Sequence, residues 1–554
     1  MRPLLTSDLK VKFLGITPVL VKEDKSSSPP FVVTRENDKT GILNPQEIVA
    51  LSSQATFKGK EIKELLKDIV ASGENLEERL KKTLQNSSLR GHASLATTPV
   101  LCLTYEGSKF LDSALTGIYF SSSLVSSGRR TTTTEKDIVF PNRILKNKKA
   151  KRIYEKISKD IIQTYNYFLS KGIKKDEVSK ILQYGIYGTG IINLPLETIV
   201  GLKREWISEK EWMPEEIGIL LKKIEENLEK LGIDWLYATR ETAPRNVYPY
   251  PNIFKDPKKS NLVRELMAKE KLPEGAKLLS LDIQITPDLK KKLKELERKT
   301  REIFGSLEKI KKYWPELINL RQQIFRDYNL ALRFKVLSSV PWRVWGEKKR
   351  HRTCSQIIES IYYCIERAAK TFIKPYKKQI KAKKINKKLV KKIEEVFSIP
   401  PTIKNDPEYL ARYLLTAQNA FEAYQNLIKL GIKPREAIFL VPRGVKIDIL
   451  QEYDLYNLLT GYYPLRTCST AEEEMFRNSW REAQQIKKAL KEKGLGFLNQ
   501  FVAPKCHIMG FCPEQKSCSL ILPAVKNYNE KFHQEMKENL KKQFEENYKK
   551  LGRR

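Results

Sequence analysis

The chain has 554 residues, more than a single hydrophobic core usually supports, so we expect two large domains or a duplicated one. Apolar residues make up 41% of it, and no run approaches the roughly 18 consecutive apolar residues that a membrane span needs. Lys and Arg outnumber Asp and Glu by 36 (102 against 66), a surplus that attracts phosphates in nucleic acids or nucleotides.

The N-terminal segment and the cysteines indicate the compartment. Lys10 and Lys12 interrupt the first apolar stretch, and no small-residue cleavage site follows, so we predict no signal peptide. Seven scattered cysteines in so long a chain do not suit a secreted disulfide framework. We therefore expect a cytoplasmic protein.

Two segments of the chain resemble each other. "YNYFLSKGIKKDEVSKILQYGI" (165–186) and "YQNLIKLGIKPREAIFLVPRGV" (424–445) align without a gap and pair Gly172 with Gly431. In each, an amphipathic helix is predicted to end at the glycine, which suits a C-cap residue with positive φ. We predict two homologous halves of α+β class, because neither a βαβ rhythm nor a glycine-rich phosphate loop is present.

The predicted domain organisation follows from this duplication and from composition. In chain order we expect an N-terminal segment (1–29), a first half (30–255), a linker (256–274), a second half (275–520) and a charged helical tail (521–554). In the tail, Phe532, Met536, Leu540 and Phe544 recur every four residues, as in an amphipathic helix.

The segment "KKRHRTCSQIIESIYYCIER" (348–367) holds one of only four histidines, His351, between Arg350 and Arg352. Clustered guanidinium groups and an imidazole supply directional donors to a phosphate or a carbonyl-rich ring. A solvated basic turn is the alternative interpretation.

The residues after this cluster show helical spacing. From Gln356 onward apolar side chains recur at helical intervals, and we predict a helix that begins near Thr353. Glu359 and Ser360 would lie on the opposite, polar face of that helix.

Arg350-His351-Arg352, then seven residues, then Ser360, resembles the RHR-x7-S signature of flavin-dependent thymidylate synthases. Three further segments are similar to other motifs of that family: "AIFLVPRG" (437–444), "YYPLRTCSTAEEEM" (462–475) and, in the first half, "GHAS" (91–94). The chain thus resembles a divergent tandem duplication of such an enzyme.

The resemblance implies a fold, a reaction and an assembly. Each half would hold a small mixed or antiparallel sheet with helices. The enzyme would convert dUMP to dTMP with methylenetetrahydrofolate and NADPH, and reduced FAD would deliver the hydride. A homodimer would form a pseudo-tetramer from its four halves.

The resemblance also implies roles for individual residues. Flavin contacts would come from Arg350, His351, Arg352, His92 and Ser94. Ser360, Glu359 and Arg466 would bind the nucleotide, and Ser360 and Arg466 would be catalytic. The Arg466 guanidinium would stabilise negative charge developing on the uracil ring. A purely structural role remains open for Arg466, because Ser469 and Glu472 after it form a predicted capping box.

The chain departs from the family pattern at several positions. Tyr362 stands where an arginine follows the motif serine, and Ile438 replaces the arginine of the second motif. Gly128-Arg129-Arg130 of the first half lacks the histidine, and Tyr328 of the second half stands where His92 would fall. Complementation between the halves explains this pattern, and so does decay into a non-catalytic relative.

A cysteine cluster lies near the end of the second half, in "APKCHIMGFCPEQKSCS". Cys506, Cys512 and Cys518 are candidate ligands of a zinc ion, with Cys468 as a candidate fourth. Buried structural thiols are the alternative.

A second function stays open beside the enzyme. A non-catalytic relative would bind nucleotides or nucleic acid through its basic surface. Nucleic acid is not favoured, because Lys and Arg are spread along the chain and do not form a dedicated arm. Flavin-dependent methylation of a base in RNA is a third hypothesis.

Overall fold

The structure is a computed structural model that describes residues 3–19, 32–34, 40–90, 92–118, 120–126, 132–242, 251–304, 306–373 and 376–551. Gly91 and the predicted cluster Gly128-Arg129-Arg130 lie outside these residues. None of the helices in the described ranges is both long enough and apolar enough to cross a membrane.

The chain divides into two compact units, each assembled from separate segments. The first unit comprises Met1–Pro257, Ser360–Ile385 and Asn405–Arg443. The second unit comprises Lys258–Glu359, Asn386–Lys404 and Gly444–Arg554.

Each unit contains one four-stranded antiparallel sheet. The strands in the described part of the chain are β1 Leu4–Leu5, β2 Lys10–Ile16, β3 Val32–Thr34, β4 Thr40–Ile42, β5 Val100–Ser108, β6 Ser122–Val125, β7 Val139–Phe140, β8 Tyr187–Pro195, β9 Ala276–Ile283, β10 Leu332–Pro341, β11 Ser355–Ile358 and β12 Lys446–Asp454. The first sheet has the order β2-β5-β8-β6 and the second sheet the order β9-β10-β12-β11. β1 pairs with β7 in parallel, and β3 pairs with β4 in antiparallel fashion.

Helices supply most of the remaining regular structure, which makes the fold α+β as predicted. They are α1 Pro45–Lys58, α2 Ile62–Ala71, α3 Leu76–Leu89, α4 Ser94–Thr97, α5 Lys109–Leu115, α6 Asn142–Lys146, α7 Lys148–Ser170, α8 Lys175–Val178, α9 Leu196–Glu209, α10 Glu215–Glu225, α11 Leu228–Leu231, α12 Asp234–Thr242, α13 Leu262–Lys269, α14 Pro287–Ile303, α15 Leu307–Tyr328, α16 Trp342–Lys348, α17 Ile361–Ile373, α18 Lys377–Lys381, α19 Lys387–Glu394, α20 Pro401–Lys404, α21 Pro407–Lys429, α22 Pro434–Ala437, α23 Tyr463–Arg466, α24 Glu473–Glu492, α25 Cys506–Met509 and α26 Glu530–Lys550.

The elements of the two sequence halves recur at a fixed interval. Helices α7 and α21 have 23 residues each, and strands β8 and β12 have nine residues each. Helix α21 begins 259 residues after α7 (at 407 and 148), and β12 begins 259 residues after β8 (at 446 and 187). The strand order around β8 in the first sheet equals the order around β12 in the second. A tandem duplication stays a prediction that these equal lengths and orders support.

The predicted ends of the two long helices are confirmed. Gly172, just beyond α7, has a φ of +77°, and Gly431, just beyond α21, has a φ of +80°. Only glycine adopts this left-handed conformation without steric cost, which explains the residue type at both positions. Both helices belong to the first unit, where the Thr164 and Thr416 hydroxyl oxygens lie 2.9 Å apart in a buried contact.

The predicted helix near Thr353 is wrong at its start. Ser355–Ile358 forms β11, which pairs with β12 so that Gln356 lies opposite Gln451, and α17 begins only at Ile361. The side chains of Ile357 and Ile358 are 41% and 2% exposed, the alternation of an edge strand. Isoleucines fit a pleated surface, and the pairing with β12 overrides the helical spacing.

The predicted tail helix is confirmed as α26. Met536 is buried, whereas Leu540 and Phe544 are exposed. The apolar stripe of this helix therefore packs against the second unit only in its first half.

Candidate functional site

The candidate site begins at a turn that follows helix α16. The helix is anchored in the core by Trp342 and Trp345, both buried. After it the backbone N–H of His351 donates to the carbonyl of Lys348 over 3.2 Å. The thiol of Cys354 donates to the carbonyl of His351 over 2.9 Å. These bonds hold the histidine at a fixed place beside the helix end.

Arg466 meets this histidine from a distant part of the chain. It is the last residue of α23, which follows a π-helix at Asn457–Gly461. Its Nε donates to Nε2 of His351 over 2.7 Å, and its Nη1 lies 3.0 Å from a carboxylate oxygen of Glu347. The structure thus brings together two residues that the sequence analysis singled out.

These contacts fix the state of the His351 imidazole. Burial and then the Arg466 charge lower the pKa of His351 to about 3, against a hydrogen bond to the backbone of Gly461 that raises it. The ring is therefore neutral near pH 7. Because Nε2 accepts from Arg466, the proton of the neutral ring belongs on Nδ1. The ring of Tyr462 packs edge-on at 4.9 Å.

A buried ion pair lies beneath the turn. The Lys348 Nζ is 2.7 Å from a carboxylate oxygen of Glu482, and both side chains are fully buried. The ammonium also donates to Ser338 and Gln451, each over 3.2 Å. Burial lowers the pKa of Lys348, but the interactions with Glu482 and Tyr462 together outweigh burial, so the pKa is raised. The lysine is therefore charged, with a full set of partners.

Glu359 and Ser360 have partners within their own units. In the second unit the buried Glu359 carboxylate accepts from Nε and Nη2 of Arg264, each over 2.8 Å, and from the Asn261 amide over 3.1 Å. This bidentate pair fixes the end of β11 against α13. In the first unit the Ser360 hydroxyl donates to the carbonyl of Lys255 over 2.6 Å. Their predicted roles in nucleotide binding stay predictions.

The remaining predicted flavin ligands differ in exposure. In the second unit Arg350 is exposed and Arg352 is half-buried, and burial lowers the pKa of Arg352. In the first unit His92 is exposed, and Ser94 opens helix α4. The Ser94 carbonyl accepts from the hydroxyls of two threonines that follow it. Their roles as flavin ligands also stay predictions.

The positions of the two missing arginines lie in the core of the first unit. Tyr362 is 1% exposed and its hydroxyl donates to the carbonyl of Trp212, while Ile438 is fully buried. Arg443, a candidate replacement, is also buried and donates through Nε and Nη2 to the carbonyl of Gln183. Tyr362 and Ile438 thus pack in the core, and neither position faces solvent.

The predicted capping box after Arg466 is wrong. Helix α24 begins at Glu473, and the Glu472 carboxylate itself caps it by accepting from the N–H groups of Glu474 and Met475. Ser469 lies too far back to be the N-cap, and its hydroxyl donates to Sγ of Cys518 over 3.1 Å. Negative charge at a helix N-terminus is favourable, so a single glutamate replaces the two-residue box.

The predicted zinc ion finds no support. All seven cysteines are free thiols. Across the residues that the structure describes, no group of three or more His, Cys, Asp or Glu side chains is arranged to hold a metal ion.

The sequence analysis missed Glu347 and the pair Lys348–Glu482. Glu347 lies just before the basic cluster, four residues after Arg343, and its carboxylate contacts both Arg343 and Arg466. The only sequence signal for Glu347 was its position directly before the basic run 348–352. Glu482 gave no signal, because it lies 134 residues from Lys348.

Comparison with known proteins supports the resemblance for part of the chain. Residues 294–490 match the family model described as "Thymidylate synthase complementing protein". This stretch is similar to flavin-dependent thymidylate synthases. It includes the motif from Arg350 to Ser360 and Arg466, whereas His92, Ser94 and the cysteines at 506, 512 and 518 lie outside it.

Individual relatives agree with the family match. The flavin-dependent thymidylate synthase of Pyrococcus abyssi is 28% identical over 130 residues, which are 22% of this chain and 50% of the relative. The enzyme of Thermococcus kodakarensis is 30% identical over 128 residues, 22% of this chain and 49% of the relative. The matched part of the chain thus spans about half the length of these curated relatives.

Two solved structures resemble the chain more distantly. One is the flavin-dependent thymidylate synthase ThyX of Helicobacter pylori complexed with FAD and dUMP, with a TM-score of 0.27 at 15% identity, covering 41% of this chain and 99% of that one. The other is the UMP/dUMP methylase PolB of Streptomyces cacaoi bound with 5-Br dUMP, with a TM-score of 0.30 at 10% identity, covering 44% of this chain and 100% of that one. Likenesses with TM-scores this low do not establish an activity for the chain.

Proposed function

We propose that the chain is a flavin-dependent thymidylate synthase that methylates dUMP to dTMP. The proposed reaction uses FAD, with methylenetetrahydrofolate and NADPH as co-substrates. One observation carries the proposal. The hydrogen-bonded pair His351–Arg466 joins two family motifs 115 residues apart, and both lie inside the stretch that matches the family model.

The residues around His351 fit an anionic, ring-bearing cofactor. Arg350 is exposed beside the neutral imidazole, and guanidinium groups suit phosphate recognition. When bound, reduced FAD supplies the hydride. Arg350, His351 and Arg352 hold it in this proposal, with His92 and Ser94 as further contacts from the first half.

Arg466 has the donors that a uracil ligand needs. Its described contacts engage one N–H on each of Nε, Nη1 and Nη2, which leaves two of its five N–H groups for a substrate. The neighbouring Glu347 carboxylate fixes the guanidinium before any ligand arrives. Arg466 then stabilises negative charge on the uracil ring without reorganising. Ser360 and Glu359 complete the proposed nucleotide contacts.

The duplication gives the proposed assembly. Two homologous halves per chain, paired with two of a second copy, would build a pseudo-tetramer from a homodimer. The equal lengths and intervals of α7 and α21 and of β8 and β12 support the two halves. Analytical ultracentrifugation of the full chain measures the oligomeric state, and a monomer at all concentrations would contradict this part of the proposal.

The decisive experiment follows FAD and dUMP together. Purified full-length protein is mixed with FAD, freed of unbound flavin and examined by absorbance with and without dUMP. We expect retained flavin, a spectral change on adding dUMP, and dTMP formation in an assay with methylenetetrahydrofolate and NADPH. Failure to retain FAD together with no dUMP-dependent NADPH oxidation would refute the proposal.

The same preparation tests the alternative of a non-catalytic nucleotide-binding or nucleic-acid-binding relative. Such a protein would ignore flavin and bind DNA or RNA with an affinity that falls steeply as salt rises. Incorporation of the methylene carbon into RNA and not into dUMP would favour the third hypothesis, a base methylase.

A further inference from the structure

The connection between β12 and α23 begins with a buried side-chain amide. Asn457 is fully buried and is the first residue of the π-helix Asn457–Gly461. The backbone N–H of Tyr462 donates to the Asn457 carbonyl, five residues back, over 3.1 Å, the bond that is typical of this wide turn. Because π-helices are rare, we looked for contacts from outside the turn that stabilise it. The side chain of Asn457 makes such contacts.

The Asn457 side chain joins the end of β12 to the basic turn. Its Nδ2 donates to Oδ1 of Asp454 over 2.7 Å, and the backbone N–H of Asn457 donates to the same oxygen over 2.9 Å. Its Oδ1 accepts from the Thr353 hydroxyl over 3.0 Å, and its Nδ2 also donates to the Thr353 carbonyl over 3.4 Å. Thr353 directly follows Arg352. The amide therefore binds both segments, and both of its polar atoms take part.

A second amide extends these contacts. Oδ2 of Asp454 accepts from Nδ2 of Asn329 over 2.7 Å, and Oδ1 of Asn329 accepts from the backbone N–H of Tyr456 over 2.8 Å. Both oxygens of the Asp454 side chain thus accept hydrogen bonds, and bonds to a carboxylate are stronger than those between neutral groups. We call Asn329, Asp454, Asn457 and Thr353 the Asn457 network.

The far end of the π-helix lies against His351. The imidazole forms a hydrogen bond to the backbone of Gly461. Because Nε2 already accepts from Arg466, this bond involves the protonated Nδ1. A Cβ on Gly461 would clash with the ring of Tyr456, which explains the glycine at this point of the turn. The path of the chain from Asn457 to Gly461 thus determines which ring nitrogen of His351 carries the proton.

The corresponding connection of the first sheet is built differently. Strand β8 ends at Pro195, whereas β12 ends at Asp454, and each is the ninth residue of its strand. Three residues further on, Thr198 lies in the regular helix α9, whereas Asn457 begins the π-helix. A proline side chain has no oxygen that could accept the bonds made to Asp454. Of these two connections, the one that carries the network is therefore the one that carries the candidate site.

We propose that Asn457 is a positioning residue of the candidate site. By joining the π-helix to the turn after Arg352, it holds the His351 imidazole in its Nδ1–H form, so that Nε2 accepts from Arg466. The guanidinium of Arg466 is thereby kept in one orientation. The benefit to catalysis rests on the proposed function, because a displacement of about 1 Å in a reacting group can lower a rate roughly 100-fold. The positioning itself requires neither FAD nor dUMP.

The test is nitrogen-15 NMR of the full-length protein labelled in its histidine rings. The chain has four histidines, and the His351 signals are those absent from His351→Gln. The chemical shifts of the two ring nitrogens distinguish a protonated from an unprotonated atom. In the wild type near neutral pH we expect Nδ1 protonated and Nε2 unprotonated. In Asn457→Ala we expect signals of both tautomers, and a kcat for dUMP methylation that is lower by up to about 100-fold.

A milder variant and a control separate positioning from stability. Thr353 is exposed, and Thr353→Val removes the donor to Asn457 with little change in shape, so it should also give both tautomers. Thr353→Ser keeps a hydroxyl and should give the wild-type signals. Gln485 is the matched control, because its side-chain amide bonds to the backbone of Leu278 and Ala276 and not to the turn. Gln485→Ala should lower the unfolding free energy and keep the wild-type tautomer.

Three results would overturn the proposal. The first is a single Nδ1–H tautomer in Asn457→Ala and Thr353→Val, and the Thr353→Val spectrum decides alone if Asn457→Ala does not fold. The second is a protonated Nε2 in the wild type. The third is mixed tautomers in Gln485→Ala, because any loss of stability would then have the same effect. An absence of dUMP methylation in the wild type would refute the proposed function instead, and the tautomer measurement would still decide the role of Asn457.

Discussion

The two four-stranded sheets share one strand order, but the chain continues differently after the last strand of each sheet in sequence. In the first sheet, β8 leads directly into α9, a regular helix of 14 residues. In the second sheet, β12 leads into the π-helix Asn457–Gly461 and the short α23 that ends at Arg466. π-helical turns are rare and often mark functional sites. A shared scaffold thus acquires its candidate site through an irregular connection after one strand.

The helices that follow the second strand of each sheet show a second difference. α5 follows β5, α16 follows β10, and each has seven residues. Their last residues, Leu115 and Lys348, are both fully buried. We call the first sheet with its helices the first region and the second sheet with its helices the second region. Leu115 of the first region therefore corresponds to Lys348 of the second region, which pairs with Glu482 and lies directly before the basic turn. At this position the second sheet's helix places a charged side chain in the core, and the first sheet's helix places an apolar one.

Replacing this lysine would have the largest effect. In Lys348→Leu the Glu482 carboxylate loses its buried partner, and we expect a loss of about 3–5 kcal/mol in the free energy of unfolding. Urea titration followed by circular dichroism measures it. The double variant Lys348→Leu with Glu482→Leu makes the site like that of Leu115 and should recover most of the loss. If Lys348→Leu were as stable as the wild type, the buried ion pair would not distinguish the two regions energetically.

Replacing the arginine tests the irregular connection. Arg466→Met should lower kcat/KM for dUMP methylation about 100- to 1000-fold, because a donor that stabilises transition-state charge is lost. Ile207 is the control in α9 of the first region. It is 57% exposed, and Ile207→Ala should change activity less than twofold. Equal activities of the two variants would contradict the assignment of the site to the second region.

The paired glycines test what the regions share. A Cβ at Gly172 or Gly431 would meet no atom within 4 Å, so only the left-handed backbone opposes it. Gly172→Ala and Gly431→Ala should each cost about 1–2 kcal/mol of unfolding free energy, and by equal amounts. Gly201 in α9 is the control, because a Cβ there would also meet no atom within 4 Å and its φ is not positive. Gly201→Ala should instead raise the unfolding free energy by up to about 1 kcal/mol. Clearly unequal losses of unfolding free energy in the two variants would argue against the predicted duplication.

The last prediction concerns the response to acid. The pKa of His351 is about 3 in the folded chain and near the ordinary 6.5 when unfolded. Between these values the unfolded chain binds a proton that the folded chain does not, so stability falls as the pH falls from 6.5. As the pH falls from 6.5, the unfolding free energy of His351→Gln should decline less than that of the wild type. Above pH 6.5 the two proteins should show the same pH dependence. Urea midpoints at several pH values measure the slope, and an unchanged slope would contradict the buried neutral state.

Local signals in the sequence were reliable where neighbours in the chain decide the structure. The glycines at 172 and 431 and the spacing of apolar residues in the tail predicted the ends of α7 and α21 and the presence of α26. The spacing failed at Ser355–Ile358, where four residues of an Ile-containing segment are compatible with either a helix or a strand. The partner strand β12, about 90 residues away, decides between them.

The α+β class, the repeated helix and glycine pattern, and the motif residues His351 and Arg466 could all be read from the amino-acid order. The folded chain was needed to show that these two residues share a hydrogen bond, that Glu347 holds the arginine, and that Tyr362 and Ile438 are core residues. The physical reason is range. Helix caps and periodicity depend on residues a few positions apart, whereas an ion pair or a strand pairing depends on which distant segments the folded core brings together.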